Sequence, residues 1–227
     1  MLNASLIQDF FYQNSEKEIN KKMMFKSYVF EYQYVLDYIN RLIQIELKDF
    51  IYYGIINYDV SYLNSSDVIQ FSNLEDATFK VCSVIKENDD LGFGFLEIGK
   101  MLENDGIIRK DCAYRKYGEN QAKTAECLGL LHSISSTYYL SCIGYIINEL
   151  DKISKEKLLR RIILRNKLIR RLIYNAYTYK SADYRSEVGF LSETTISRRK
   201  SNIKYLIGII NSECDLYLKS ILAYINF

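Results

Sequence analysis

No proline and no tryptophan occur among the 227 residues. Without proline the chain lacks the strongest interrupter of helices, which favours long ones. Histidine is reduced to His132, so a Ser-His-Asp or Cys-His catalyst would depend on that residue alone. Its place after Leu130-Leu131 suits a structural role instead. The five cysteines (Cys82, Cys112, Cys127, Cys142, Cys214) include no C-x-x-C pair. With one histidine they do not supply the paired ligands of a zinc site. They read as free thiols of a reducing compartment, so a cytoplasmic location is expected. No apolar run approaches the roughly 20 residues of a bilayer-spanning helix, and no membrane association is expected. Residues 1–14 carry Asp9 and lack the basic start and apolar stretch of a secretory signal. Gly92-Phe93-Gly94 lacks the further glycine or Gly-Lys-Ser/Thr of a phosphate-binding loop.

What is present is an ordinary globular composition, 48% hydrophobic and 26% charged, sufficient for a real core. Charge is divided unevenly. Residues 1–150 hold 14 basic and 21 acidic side chains, whereas residues 151–204 hold 15 basic and 5 acidic, a net +10. Two readings of that basic stretch stay open. It is either a polyanion-binding surface or a solvated helix face that pairs with the acidic half.

Helical spacing runs from Lys21 to Phe50, and Gly54 breaks it. Ile55 to Leu63 alternates loosely and predicts a short strand, followed by a loop at Asn64-Ser65-Ser66-Asp67. The tyrosines of this third (Tyr28, Tyr32, Tyr34, Tyr38, Tyr52, Tyr53, Tyr58, Tyr62) are expected in core and interface rather than as a base-stacking platform. Residues 1–75 are expected to be a helical N-terminal region for oligomerisation or partner docking.

Residues 76–150 read as a second unit. Helices are predicted over Asp76–Glu87, Phe95–Leu102 and Ala113–Leu128, with turns at Asn88–Gly94 and Asn104-Asp105-Gly106 and a Gly129 cap. Leu130–Ile134 and Thr137–Leu140 predict two short strands around Ser135-Ser136, and Ser141 caps a helix to Leu150. Three helices, a hairpin and a helix follow the order of a winged helix. The turn between its second and third helices would make a helix-turn-helix. Such folds also bind proteins, so the fold alone does not give DNA binding.

Residues 151–227 read as a basic second helix-turn-helix or winged-helix-like unit. Ser154–Lys180 predicts one long amphipathic helix, with Lys157, Arg160, Arg161, Arg165, Lys167, Arg170 and Arg171 on its polar side. A polar loop over Ser181–Gly189 should follow. Ser192 then caps a helix to Ile210 that carries hydroxyls in its first turns and Arg198, Arg199 and Lys200 in its middle. Recognition helices use this composition, because hydroxyls and guanidinium groups reach phosphates and base edges. An ordinary capped amphipathic helix is the other reading.

Two stretches carry a resemblance. One is Lys116-Tyr117-Gly118-Glu119-Asn120-Gln121-Ala122-Lys123-Thr124-Ala125, followed by Leu128-Gly129-Leu130 and Tyr139-Leu140-Ser141-Cys142-Ile143-Gly144. The other is Leu191-Ser192-Glu193-Thr194-Thr195-Ile196-Ser197-Arg198-Arg199. Together, over roughly residues 76–210, they resemble the tandem winged-helix recognition region of some type II restriction endonucleases and related bacterial defence proteins. The resemblance implies DNA contacts from Tyr114, Lys116, Asn120, Gln121, Lys123 and Thr124 in the first unit. In the second it implies contacts from Thr194, Thr195, Ser197, Arg198, Arg199 and Lys200. Residues 1–75 share nothing with that pattern, and no nuclease centre is apparent.

Metal-dependent nucleases of the PD-(D/E)xK type place an acid and an E-x-K on neighbouring strands, so that carboxylates hold the metal near a lysine. Asp37 with Glu46-Leu47-Lys48 is the one match, yet it lies in a helical pattern and reads as helix surface. Glu16, Glu18, Asp59 and Asp67 offer nothing better. The expectation is a mainly α protein with small β wings, built of tandem winged-helix/helix-turn-helix units behind a helical N-terminal region. It would recognise double-stranded DNA by sequence, with no catalytic or metal-binding residues assigned in this chain. Mg²⁺ enters only where a nuclease is present. The expected partners are DNA and either a nuclease subunit or a second copy of the chain. A stand-alone dimeric transcriptional regulator is the alternative, and an interaction protein that docks an acidic partner is a third reading.

Overall fold

The structure, a computed structural model, describes residues 2–12, 28–56, 62–88, 92–103 and 106–227. Helices α1 (Leu2–Tyr12), α2 (Tyr28–Gln44) and α3 (Leu47–Ile51) come first, and a π-helical turn, Tyr52–Ile56, extends α3. A second π turn, Asp76–Lys80, leads into α4 (Val81–Glu87), followed by α5 (Phe95–Leu102) and α6 (Asp111–Cys127). Strands β1 (Leu131–Ile134) and β2 (Thr137–Leu140) precede α7 (Cys142–Ile146) and a 3-10 turn. Next come α8 (Lys152–Ile163), α9 (Lys167–Tyr179), β3 (Ala182–Asp183) and α10 (Tyr184–Glu187). Last are α11 (Glu193–Asn211), α12 (Leu216–Leu222) and β4 (Ile225–Asn226). The chain is mainly α with two small sheets. Among the described residues no helix is long and apolar enough to cross a membrane.

Contacts divide the chain into two compact units. One takes in Met1–Lys17, Asp37–Ile69 and Glu156–Phe227, and the other Glu18–Leu36 and Gln70–Lys155. Residues 1–75 therefore do not stand apart as one N-terminal region. Ile55 and Ile56, expected to open a strand, lie in the π turn. Gly54 does not end the helical run, because it lies inside that π turn, where it packs against the Phe11 ring. Residues 57–61 of the expected strand are outside the described residues, as are 21–27 of the expected helix and residues 89–91 and 104–105 of the two expected turns. Of the N-terminal tyrosines, Tyr38 is buried, whereas Tyr34, Tyr52, Tyr53 and Tyr62 are exposed.

The unit around Gln70–Lys155 has its core in Val81, Cys82, Ile85, Ile98, Leu102, Ala122, Ala125 and Leu128, all fully buried. Helices α5 and α6 approach backbone to backbone at Gly99 and Gly118. The hairpin pairs Leu131 with Leu140 and Ile134 with Thr137. Its two-residue turn places Ser135 and Ser136 at φ 50° and 66°, the left-handed conformation that the twist of a tight hairpin requires. Phe93, between α4 and α5, bridges Tyr138 on β2: each N–H donates to the other's carbonyl, at 3.0 and 2.9 Å. Ser141 caps α7 as expected, its Oγ accepting from Gly144 N at 3.0 Å.

The other unit is built on α9, whose Leu168, Ile169, Leu172, Ile173 and Ala176 are completely buried. Ser154–Lys180 is not one helix. The run breaks after Ile163, and Asn166 restarts it as the N-cap of α9, accepting from Ile169 N at 3.0 Å. Asn166 also donates to Asp67 O at 2.8 Å, which fixes the break against the Asn64–Ile69 segment.

The expected polar side of that helix points partly inward. Arg161, Arg165 and Arg170 are buried. Arg161 donates both terminal nitrogens to the Glu213 carboxylate, at 2.8 and 2.7 Å, and further bonds to Ile45 O and Lys157 O. Its guanidinium lies over the Phe50 ring, while Arg165 and Arg170 lie over Phe10 and Phe11 at 5.0 and 5.4 Å. Aromatic faces attract these cations and shield them from water. Three of the 15 basic side chains of residues 151–204 are thus part of the core. The segment Ser181–Gly189 also departs from expectation. β3 pairs in parallel with β4, and α10 follows, capped by Asp183.

Candidate nucleic-acid interface

In the unit built on α9, a short turn joins the four-residue helix α10 to α11. Asp183 Oδ1 accepts from Ser186 N at 2.7 Å and starts α10. Tyr184, wholly buried, donates its hydroxyl to Ile196 O at 3.1 Å and so ties α10 to the first turn of α11. Leu191 N donates to Val188 O within the turn. Helix α11 buries Ile196, Ile203, Leu206, Ile207 and Ile210. Spacing of three and four residues then leaves Thr194, Ser197, Arg198, Ser201, Lys204 and Tyr205 exposed on the opposite face.

The six residues expected here divide. Thr194, Ser197 and Arg198 are exposed, and Thr195 and Lys200 are half-buried. Ser192 stands at the cap position, but its side chain makes no bond to the helix backbone; its hydroxyl bonds those of Thr194 and Thr195 at 3.2 and 2.9 Å. Arg199 is used inside the unit, donating to Ser65 O at 2.8 Å and Val68 O at 2.6 Å. Burial, and next the charge of Arg198, push its pKa below the ordinary arginine value.

In the other unit, α5 and α6 enclose the corresponding turn. Lys116 and Lys123 are exposed and both pair with Glu119, at 2.9 and 2.7 Å. Bonds from Lys123 and Lys116 hold the Glu119 carboxyl below its ordinary range. Such surface pairs contribute about 0–1 kcal/mol each, so a phosphate can displace them. Asn120 is half-buried. Gln121 and Thr124 are fully buried, with Gln121 donating to Ser72 Oγ at 2.9 Å and Thr124 to Gln70 O at 3.0 Å. They face the core, and their polar groups hold the Gln70–Ser72 segment. Tyr114 braces the preceding loop: its hydroxyl accepts from Arg109 N at 3.1 Å and donates to Ile107 O at 3.0 Å. Exposed Lys110 and Arg115 were missed by sequence reasoning. Their only signal was their place at the start of α6.

The catalytic alternatives are dispersed. Asp37 lies in α2, and Glu46 precedes α3 and pairs with Lys48 at 2.7 Å on the surface. Asp67 accepts from Asn64 N at 2.8 Å, and His132 stacks on Tyr139 at 5.7 Å. Glu16, Glu18 and Asp59 lie outside the described residues. Among the described residues no group of three His, Cys, Asp or Glu side chains is placed to hold a metal ion, and all five cysteines are free thiols. A groove of about 770 Å³ lies between α8 and α11, with Leu159, Tyr205 and Ile209 apolar and Arg160 and Lys204 basic. Arg160 is occupied there by Ile209 O and Ser212 Oγ, both at 3.3 Å.

No family model, no curated protein and no solved structure matches this chain.

Proposed function

We propose that the chain recognises duplex DNA by sequence through two helix-turn-helix units, α5–α6 and α10–α11. The order α4, Phe93, α5, α6, β1, β2 supports a winged helix for the first, with Phe93 bridging Tyr138 in the place of a short first strand. The observation that carries the reading is the outer face of α11. Thr194, Ser197, Arg198, Ser201 and Lys204 project from a helix whose other side is core, and no Asp or Glu occurs from Thr194 to Ser212. Hydroxyls, a guanidinium and an ammonium without intervening carboxylates suit phosphates and base edges.

The contacting set in this reading is Thr194, Thr195, Ser197, Arg198 and Lys200 on α11, with Arg115, Lys116, Asn120 and Lys123 on α6. Tyr114, Gln121, Thr124 and Arg199 are positioning residues. The resemblance to restriction-endonuclease recognition regions extends the proposal to a restriction system in which another chain or segment supplies cleavage.

Selection from a randomised duplex pool, with and without Mg²⁺, tests this. The expected result is enrichment of a defined site without cutting, and an affinity that falls steeply with salt as counterions are released. No enrichment at low or moderate salt sinks the reading. Cutting that requires Mg²⁺ would place a nuclease in this chain, and a palindromic site would favour the dimeric regulator.

A further inference from the structure

The loop before α6 displays two isoleucines that the fold leaves uncovered. Ile107 is 60% exposed and Ile108 is 96% exposed. The loop is braced. Gly106 turns it at φ 78°, and Tyr114 bonds to it on both sides of Ile108, at Ile107 O and Arg109 N. Arg109 donates to Ile107 O at 3.2 Å and pairs with Glu103 at 3.6 Å. Exposed basic side chains follow in sequence: Lys110, Arg115 and Lys116, the last paired with Glu119 at 2.9 Å. Between Gly106 and Gly118 the one acid is Asp111, which pairs with Lys100 at 2.9 Å. A braced apolar tip followed by exposed cations, at the start of a candidate recognition helix, calls for a polyanion that also carries apolar groups.

Duplex DNA has such groups on its major-groove edge, the C5 methyls of thymine. We infer that Ile107 and Ile108 contact thymine methyl groups while Lys110, Arg115 and Lys116 hold the flanking phosphates. The bound site therefore contains thymine opposite this loop. The inference rests on the proposed DNA recognition. The same placement recurs before α11: Phe190, three residues ahead of Glu193, is 52% exposed, as Ile108 stands three ahead of Asp111.

The probe is the duplex selected by the full chain, synthesised with deoxyuracil in place of thymine at one position at a time. Deoxyuracil removes the methyl and keeps the base pair. Wild-type protein should lose about 3- to 5-fold in affinity at one or two positions, the factor expected for one buried methyl. Ile108→Ser, and the double variant Ile107→Ser/Ile108→Ser, should bind thymine and uracil duplexes alike at those positions. Both residues are exposed, so the melting temperature of each variant should match wild type. Wild-type binding that is indifferent to uracil at every position overturns the inference and leaves DNA recognition standing. So does a uracil penalty that persists undiminished in both variants. Failure of the wild-type chain to bind any duplex overturns both.

Discussion

Gly99 and Gly118 stand against each other where α5 crosses α6. A Cβ on Gly118 would lie 2.0 Å from Phe95 O and 2.7 Å from Gly99 N, and one on Gly99 would lie 1.9 Å from Tyr114 O. These obstacles are backbone atoms and cannot swing aside. Alanine normally improves a helix by up to about 1 kcal/mol over glycine. Here overpacking costs about 1–3 kcal/mol or more and wins. Gly118→Ala and Gly99→Ala should each destabilise the chain in urea titrations. Gly208→Ala in α11, where a Cβ meets nothing within 4 Å, should stabilise it. Equal effects at all three positions would refute the close approach.

The Arg161–Glu213 pair yields a second expectation. Arg161 is 1% exposed and has one carboxylate partner, held through two bonds. Removing one member of a buried pair leaves a charge uncompensated, at a cost of about 3–5 kcal/mol. Glu213→Ala should therefore lower the urea midpoint far more than Glu46→Ala, which removes only an exposed pair. Similar midpoints for the two variants would count against this role for Arg161.

Arg198 and Arg199 are neighbours with separable roles. Arg198→Ala should leave the melting temperature unchanged and weaken binding to a selected duplex by about 1–3 kcal/mol if it reads a base, or lower the salt slope by about 1 if it holds a phosphate. Arg199→Ala should lower the melting temperature, because it removes the bonds to Ser65 O and Val68 O. The pair of measurements fails if Arg198→Ala melts early while Arg199→Ala melts as wild type.

Alkaline pH provides a fourth test. Burial first, then the neighbouring carboxylates Asp76 and Glu126, push Tyr117 and Tyr138 up to about 12. An unfolded tyrosine titrates near 10. The folded state therefore holds these protons more tightly. Their contribution to stability is complete below about pH 10 and is lost as the pH rises toward 12. Phenolate absorbance of the native protein should show a late-titrating class that disappears in urea, and Tyr117→Phe should shrink it. A single native transition near pH 10 would contradict the burial of these phenols.

The sequence was most legible where the signals were local. Phe95–Leu102, the hairpin around Ser135-Ser136 and the Ser141 cap each depend on neighbours a few residues away. Periodicity failed on α8 and α9 because it scores arginine as polar and therefore outward. What turns Arg161 inward is Glu213, and what covers Arg165 and Arg170 is Phe10 and Phe11, all distant in sequence. Gln121 and Thr124 are assigned DNA contacts through the resemblance alone, and their partners Ser72 and Gln70, some fifty residues earlier, hold them in the core. Asn166 carried a cap signal in plain view, but an apolar pattern continuous on both sides concealed it.

The parallel pairing of β3 with β4 has a consequence for the order in which the molecule matures during synthesis. Ala182 meets Ile225, and the Phe227 ring lies 5.8 Å from that of Tyr184, the residue that anchors α11. The same unit also includes Met1–Lys17. Residues near Met1 cannot complete this unit until Ile225 and Phe227 have been made, whereas Gln70–Lys155 can condense earlier in synthesis. Long-range closure of this kind is slow and leaves apolar surface open meanwhile. A bulky tag fused after Phe227 sits next to the residues that complete that closure. It is therefore expected to delay maturation of the α10–α11 pair more than a tag placed before Met1.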